Sequence, residues 1–184
     1  MRNVALNNYA FIDSQNLYFG LKRLGWRMNY RRFRIYLREK YSAGTAFLFI
    51  GFVPGNEKLY RWLQEAGFIL IFKPTIMSDD GMKGNCDAEL VLHCMIEYQN
   101  FDKAVIVSGD GDFFCLIEHL QKNGKLERVI APSPIDCSSL LHKVSGRRVG
   151  FIADLRPKLE YKKKNTPQGR NLVGDFSSLL MISV

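Results

Sequence analysis

Short apolar segments alternate with amphipathic helical segments along most of this chain, and this alternation limits the possible folds more than any other feature. Five apolar runs are continuous and rich in β-branched or aromatic residues, which is typical of strands that are covered on both faces. They span residues 9–12, 46–53, 68–72, 104–107 and 128–131, and a weaker sixth run spans 149–152. We predict a β-strand at each of them.

Helical patterns separate these strands. Asn29 is a suitable N-cap for a helix with an apolar stripe at Phe33, Leu37 and Tyr41, and further stripes lie within 59–66 and 90–98. The clearest stripe comprises Phe113, Leu116, Ile117 and Leu120, and Gly124 is suited to end that helix. Strands that alternate with helices predict an α/β fold with three layers, in which a mostly parallel sheet of five or six strands lies between helices.

The length of 184 residues suits one domain with a short tail, which we place at 1–155 and 156–184. The apolar runs are far shorter than the ~20 residues that span a bilayer, and the first eight residues lack the apolar segment of a signal peptide. We therefore expect a soluble, cytoplasmic protein. Four cysteines and three histidines lack the spacing of a zinc site.

Positive charge is concentrated in two segments of the chain. Residues 22–40 contain eight basic residues and one acid, for +7, and residues 156–164 contain five and one, for +4. Because the net charge is +8, the remainder carries −3. Basic segments on a mostly acidic body indicate a polyanionic partner. The first segment follows the strand before Asp13, so we expect it near the acids described next, with these candidate contacts to nucleic acid: Lys22, Arg23, Arg31, Arg32, Arg34 and Arg38.

Four aspartates fall where ligand sites of parallel sheets occur, at the carboxyl ends of the strands. Asp13 directly follows the first strand, Asp110 and Asp112 follow the fourth, and Asp87 lies in the first turn of the helix that leaves the third. Converging carboxylates repel one another by several kcal/mol unless cations neutralise them. Oxygen ligands suit Mg²⁺ or Mn²⁺, and such ions promote phosphoryl chemistry.

Each of these residues also has a purely structural interpretation. Asp13 and Asp112 are suitable helix N-caps, and Asp87 in a first turn favourably meets the helix dipole. Asn16 is a possible turn or cap residue, and Lys83 is either an exposed loop lysine or a contact to the phosphate or the acids. The shared edge of all four acids favours a functional site.

Three motifs in this order resemble the NYN domain, a branch of the PIN-like nuclease superfamily. They are Ile12-Asp13-Ser14-Gln15-Asn16, Lys83-Gly84-Asn85-Cys86-Asp87 and the segment 107–113 with the sequence VSGDGDF, and the resemblance covers about residues 8–155. It implies a strand order of 3-2-1-4-5 and a metal-dependent ribonuclease site. Within that site it implies roles for Asp13, Asp87, Asp110 and Asp112 as catalytic and metal-binding acids, for Asn16 as an orienting partner, and for Ser108 as a support for metal-bound waters.

The leading hypothesis is a Mg²⁺- or Mn²⁺-dependent ribonuclease that acts on RNA, which we expect to be single-stranded. A catalytically weak RNA-binding or scaffold module is the alternative, and a small-molecule phosphatase is a third, less favoured hypothesis. A haloacid-dehalogenase phosphatase requires a second Asp where Gln15 stands, and the chain has no GxxxxGK phosphate loop. The apolar end at 176–184 is a possible contact to the domain or to a second copy in a homo-oligomer.

Overall fold

A computed structural model describes residues 7–74, 76–78, 81–83 and 86–162. Eight strands occur in these ranges: β1 (Asn8–Asp13), β2 (Ala43–Phe52), β3 (Ile69–Pro74), β4 (Ile76–Ser78), β5 (Gly81–Lys83), β6 (Ala104–Val107), β7 (Leu126–Ala131) and β8 (Val149–Phe151). Seven α-helices accompany them: α1 (Ser14–Leu24), α2 (Tyr30–Tyr41), α3 (Glu57–Glu65), α4 (Asp87–Ile96), α5 (Phe114–Lys122), α6 (Ser139–Ser145) and α7 (Arg156–Leu159).

Six strands form one sheet in the order β3-β2-β1-β6-β7-β8, and every neighbouring pair is parallel. Numbered within this sheet the order is 3-2-1-4-5-6, which confirms the predicted topology and the weak sixth strand. Ile12 pairs with Val107, and Asp13 pairs with Phe49. The central strands β1 and β6 therefore end at the same level, and the residues that follow them meet at one edge.

Helices cover both faces of the sheet, as the continuous apolar strands predict. Buried residues of α1, α2, α3 and α7 pack on one face, and buried residues of α4, α5 and α6 pack on the other. Alternate residues of each strand point to opposite faces and pack into two separate hydrophobic cores. Leu48 lies in the core under α1, α2, α3 and α7, Phe49 lies in the core under α4, α5 and α6, and both are fully buried. This is a three-layer α/β/α fold.

Three helices, α1, α6 and α7, and one hairpin were not predicted from the sequence. Helix α1 has Gly20 in its interior because a side chain there would meet Pro132: an added Cβ would lie 2.1 Å from the Pro132 Cβ. Helix α6 spans only seven residues, which is too short for a clear apolar period. Strands β4 and β5 form a two-stranded antiparallel hairpin between β3 and α4.

The packed part of the chain continues past residue 155, where we placed the start of the tail. Leu159 is buried in the same core as α2, and the Tyr161 backbone N–H donates to the Arg27 carbonyl at 2.8 Å. Residues 163–184, with part of the second basic segment and the apolar end, lie outside the described residues. No helix in the described part of the chain has the length and apolarity needed to cross a membrane.

Candidate metal centre at the carboxyl edge of the sheet

Asp13 is the last residue of β1 and the N-cap of α1. Its Oδ1 accepts hydrogen bonds from the backbone N–H groups of Gln15 and Asn16, both at 3.0 Å. Its Oδ2 accepts from the Ser108 hydroxyl at 3.1 Å. Capping satisfies donors that the first helical turn would otherwise leave without partners, so the same residue ends the strand and starts the helix.

A chain of hydrogen bonds joins the end of β1 to the end of β6. The Ser108 hydroxyl, which donates to Asp13, accepts the backbone N–H of Asp110 at 3.1 Å. The Asn16 side-chain oxygen accepts the backbone N–H of Gly109 at 2.9 Å. These bonds fix the loop after β6 relative to Asp13. The hydrogen bond from Gly109 supports the orienting role predicted for Asn16. The role of Ser108 toward metal-bound waters stays a prediction.

The loop after β6 fits closely against the loop between β7 and α6. The Ser138 N–H donates to the Gly109 carbonyl at 2.9 Å, and an added Cβ at Gly109 would lie 1.8 Å from the Asp136 carbonyl oxygen. Position 109 therefore requires a glycine, because the backbone of Asp136 approaches it too closely for any side chain. Asp136 and Ser138 were missed by the sequence analysis, and the Gly-Asp-Gly spacing was the available sign that another segment comes this near.

Three carboxylates converge at this loop. Asp110 Oδ1 accepts the Asp112 N–H at 3.0 Å and caps a single 3₁₀ turn at Gly111–Phe113. Asp87 is the first residue of α4. One carboxylate oxygen from each of Asp87, Asp110 and Asp112 lies within 4.8 Å of the other two. Asp112 is exposed and the other two are half-buried, so the cluster opens to solvent.

The structure places Asp13 beside this cluster rather than within it. Asp13 is 6% exposed, and burial raises the pKa of its carboxyl to about 6, with smaller contributions from the negative charges of Asp87 and Asp110. Among the described residues, the charges that act on the Asp13 carboxyl are thus both negative. A buried carboxylate of this kind is stabilised by a nearby cation.

The residues present fit a hard divalent ion. The three clustered groups offer only oxygen, which Mg²⁺ and Mn²⁺ prefer, and their mutual repulsion would be relieved by positive charge. Cys86 directly precedes Asp87, but burial raises the pKa of its thiol to about 12, so it stays protonated near neutral pH. A zinc site of thiolates has no support in this region.

The arginines of α2 lie partly at the opposite edge of the sheet. Arg34 donates to the carbonyls of Gly67 at 2.9 Å and Ala43 at 3.0 Å, and also to that of Gly44, at the amino ends of β2 and β3. Arg31 pairs with Glu65, the last residue of α3, at 3.6 Å. The expectation that this segment lies near the acids is therefore wrong for these two residues.

The other predicted basic contacts are exposed. Arg23, at the end of α1, forms an ion pair with Asp136 at 2.5 Å and so does lie at the carboxyl edge. Lys22, Arg32 and Arg38 are exposed, and their contact with nucleic acid stays a prediction. Lys83 belongs to β5, but its side chain lies outside what the structure describes.

Comparison with known proteins identifies relatives of this fold. The family model for the NYN domain matches residues 9–145. The low amplitude and bright protein LabA of Synechococcus elongatus is 28% identical over 122 residues, which cover 60% of this chain and 66% of that protein. The crystal structure of a protein of unknown function, VPA0982 from Vibrio parahaemolyticus, superimposes with a TM-score of 0.71 at 22% identity, over 88% of this chain and 100% of that one.

Proposed function

The chain belongs to the NYN domain family, and on this basis we propose that it is a metal-dependent ribonuclease that hydrolyses phosphodiester bonds of RNA. The observation that carries the proposal is the convergence of Asp87, Asp110 and Asp112 within 4.8 Å at the carboxyl edge of a parallel sheet. Asp110 and Asp112 reach this edge from the turn after β6, and Asp87 reaches it from the start of α4. NYN domains are typically ribonucleases, which gives this arrangement its proposed reaction.

In this proposal Asp87, Asp110 and Asp112 hold Mg²⁺ or Mn²⁺. When bound, such an ion supplies positive charge that lowers the pKa of water and binds phosphate oxygens. Asp13 lies beside them and adds negative charge that strengthens cation binding. Ser108 and Asn16 hold Asp13 and the Gly109–Asp110 peptide in place through the hydrogen bonds at 3.1 and 2.9 Å.

Cleavage of a labelled RNA with Mn²⁺, with Mg²⁺ and with EDTA tests the proposal directly. We expect cleavage only with a divalent ion, and we expect Asp110→Asn to reduce it by at least about 100-fold, the scale of losing one preorganised electrostatic group. Glu118→Gln is the matched control, because it removes one negative charge from a surface pair with Lys122 on α5. Such pairs contribute little to stability, so this variant should retain full activity.

The same experiment distinguishes a ribonuclease from an RNA-binding or scaffold module. Cleavage by Asp110→Asn at the wild-type rate would rule out the acid cluster as the active site. RNA binding by the wild type without cleavage under any of the three conditions would instead support a binding or scaffold module.

A further inference from the structure

Helix α4 exposes only apolar side chains to solvent. Its ten residues are all described, and the exposed ones are Ala88, Leu92, Met95 and Ile96. Leu92 is 62% exposed and Ile96 is 63% exposed. A helix at the surface of a domain normally carries charged or polar residues on its outer side, and a helix that is apolar all round is normally buried. The outer side of α4 therefore has the composition of a surface that another element covers.

A second helix beside the same edge strand shows the usual pattern. Helix α3 packs against β3 on the other face of the sheet. Its exposed residues are all charged or polar, namely Glu57, Lys58, Arg61, Gln64 and Glu65. Since α3 and α4 flank the same strand, a position near the edge of the sheet does not by itself explain the apolar outer side of α4.

The apolar surface continues from α4 onto β3. Glu89 of α4 forms an ion pair with Lys73 of β3 at 3.2 Å, and α4 runs from the carboxyl edge toward the amino edge of the sheet. Two turns beyond Glu89, on the same side of the helix, Ile96 lies roughly 10 Å further at ~1.5 Å per residue. Ile69 lies four residues before Lys73, or roughly 13 Å at ~3.3 Å per residue, and is 49% exposed. Ile96 and Ile69 are therefore at similar levels.

The exposed residues of α4 together with Ile69 form one surface, called the α4 face below. Its four large side chains, those of Ile69, Leu92, Met95 and Ile96, expose roughly 400 Å², which is the scale of the largest apolar patches on monomers. Each partner in a standard interface buries about 800 Å², of which about 65% is apolar in homodimers. The α4 face thus supplies most of the apolar area that one partner of such an interface needs.

Charge favours a second copy of this chain as the partner. The chain carries a net charge of +8, so two copies repel each other unless they meet where charge is absent. None of the residues of the α4 face is charged. A different protein that recognises a basic partner would present acids, and the α4 face offers those acids nothing to pair with.

The α4 face also suits a two-fold axis. Leu92 lies midway between Ala88 and Ile96 along the helix. When two α4 helices pack antiparallel across Leu92, the same row of side chains meets itself, as a two-fold interface requires. Such an interface closes at two copies.

We propose that two copies of this chain associate through the α4 face, about a two-fold axis that passes close to Leu92. The inference goes beyond the proposed function and does not depend on it. It places self-association on α4 rather than on residues 176–184, which the sequence suggested.

Sedimentation velocity over a range of protein concentrations tests this association, in EDTA and a reducing agent and without RNA. Leu92→Glu brings two like charges together at the axis, and it should weaken dimerisation by at least about 100-fold. Leu140→Glu is the matched control, because Leu140 is 50% exposed on α6 and the same substitution there changes the net charge equally. We expect this control to associate like the wild type. Melting temperatures of the variants report whether they fold.

A mixing experiment then tests whether the partner is a second copy. Leu92→Lys alone should be as monomeric as Leu92→Glu alone, because each variant places like charges at the axis. An equimolar mixture of the two variants brings opposite charges together there. The mixture should dimerise at least about 10-fold more tightly than either variant alone.

Three outcomes would overturn the inference. One is a wild type that stays monomeric at about 1 mM. A lower melting temperature of that monomer on Leu92→Glu substitution would then indicate that the chain covers the α4 face itself. The second is equal association of Leu92→Glu and the wild type. The third is a mixture of the two Leu92 variants that stays monomeric, which would exclude a two-fold axis at this residue.

Discussion

Two opposing effects act on the ionisation of the Asp13 carboxyl group. Its carboxylate accepts three hydrogen bonds, which favour the charged form. Its burial and the nearby acids favour the neutral form and have the larger effect, because the pKa is raised from 3.8 to about 6. Near neutral pH, ionised Asp13 therefore lowers the stability of the metal-free protein.

This raised pKa predicts how stability changes with pH. Between about pH 4 and about pH 6 the folded state binds more protons at Asp13 than the unfolded state does, so its contribution to stability falls as pH rises. The loss is complete above the folded pKa and amounts to about 3 kcal/mol. Asp13→Asn keeps an N-cap residue, and its amide does not ionise in this pH range. Urea unfolding in EDTA should show that the variant gains stability relative to wild type across this range.

Other carboxyl groups titrate in the same range, so the difference between the two proteins is the informative quantity. An Asp13→Asn variant that is less stable than wild type at about pH 8 and shows no relative gain across the range would mean that hydrogen bonding at the cap outweighs burial.

At the scale of elements, the interlocked loops after β6 and β7 give the site its shape. Gly109→Ala would place a Cβ 1.8 Å from a backbone oxygen of Asp136, and neither backbone can yield without moving a loop. Gly111→Ala would place one 2.8 Å from the Ser138 hydroxyl oxygen, a side-chain atom that can rotate away. We expect Gly109→Ala to abolish cleavage and to lower stability by about 3 kcal/mol, as overpacking does. Gly111→Ala should lose less than about 1 kcal/mol.

Thermal unfolding and RNA cleavage of the two alanine variants check this prediction. Equal effects of both substitutions would show that the loops are free to separate.

The elements that were predicted from the sequence are those whose own pattern determines them. The six parallel strands read as continuous apolar runs, and α2 begins at the predicted cap, where Asn29 accepts the Arg32 N–H at 3.1 Å. The shared edge of Asp13 and Asp110 could also be predicted, because residues at the ends of neighbouring parallel strands lie together. Helix α1 was missed because it contains Gly20, which is required by contact with Pro132, a residue far along the chain. Arg34 was misplaced because a charge pattern shows which side of a helix is polar but not which end of the sheet it faces.

For the molecule as a whole, a divalent ion should act as a ligand of the folded state. Binding contributes RT ln(1 + [L]/Kd), or ~2.7 kcal/mol at a hundredfold excess over Kd. For a domain of this size we expect Mn²⁺ or Mg²⁺ to raise the melting temperature by roughly 5–10 °C. The double variant Asp110→Asn with Asp112→Asn should lose this shift, whereas Glu118→Gln should keep it. An equal shift in all three proteins would place the ion elsewhere.

The wide sequence separation of the contacts at the site has a consequence for synthesis of the protein. The bond between Ser108 and Asp13 joins residues 95 positions apart, and the loop around Gly109 needs Asp136 and Ser138 beside it. A nascent chain therefore has its first strand long before it has the acids and the loop that complete the edge. Under the proposed function, a nascent chain could not cleave its own message before the ribosome has passed the codons for all of these residues.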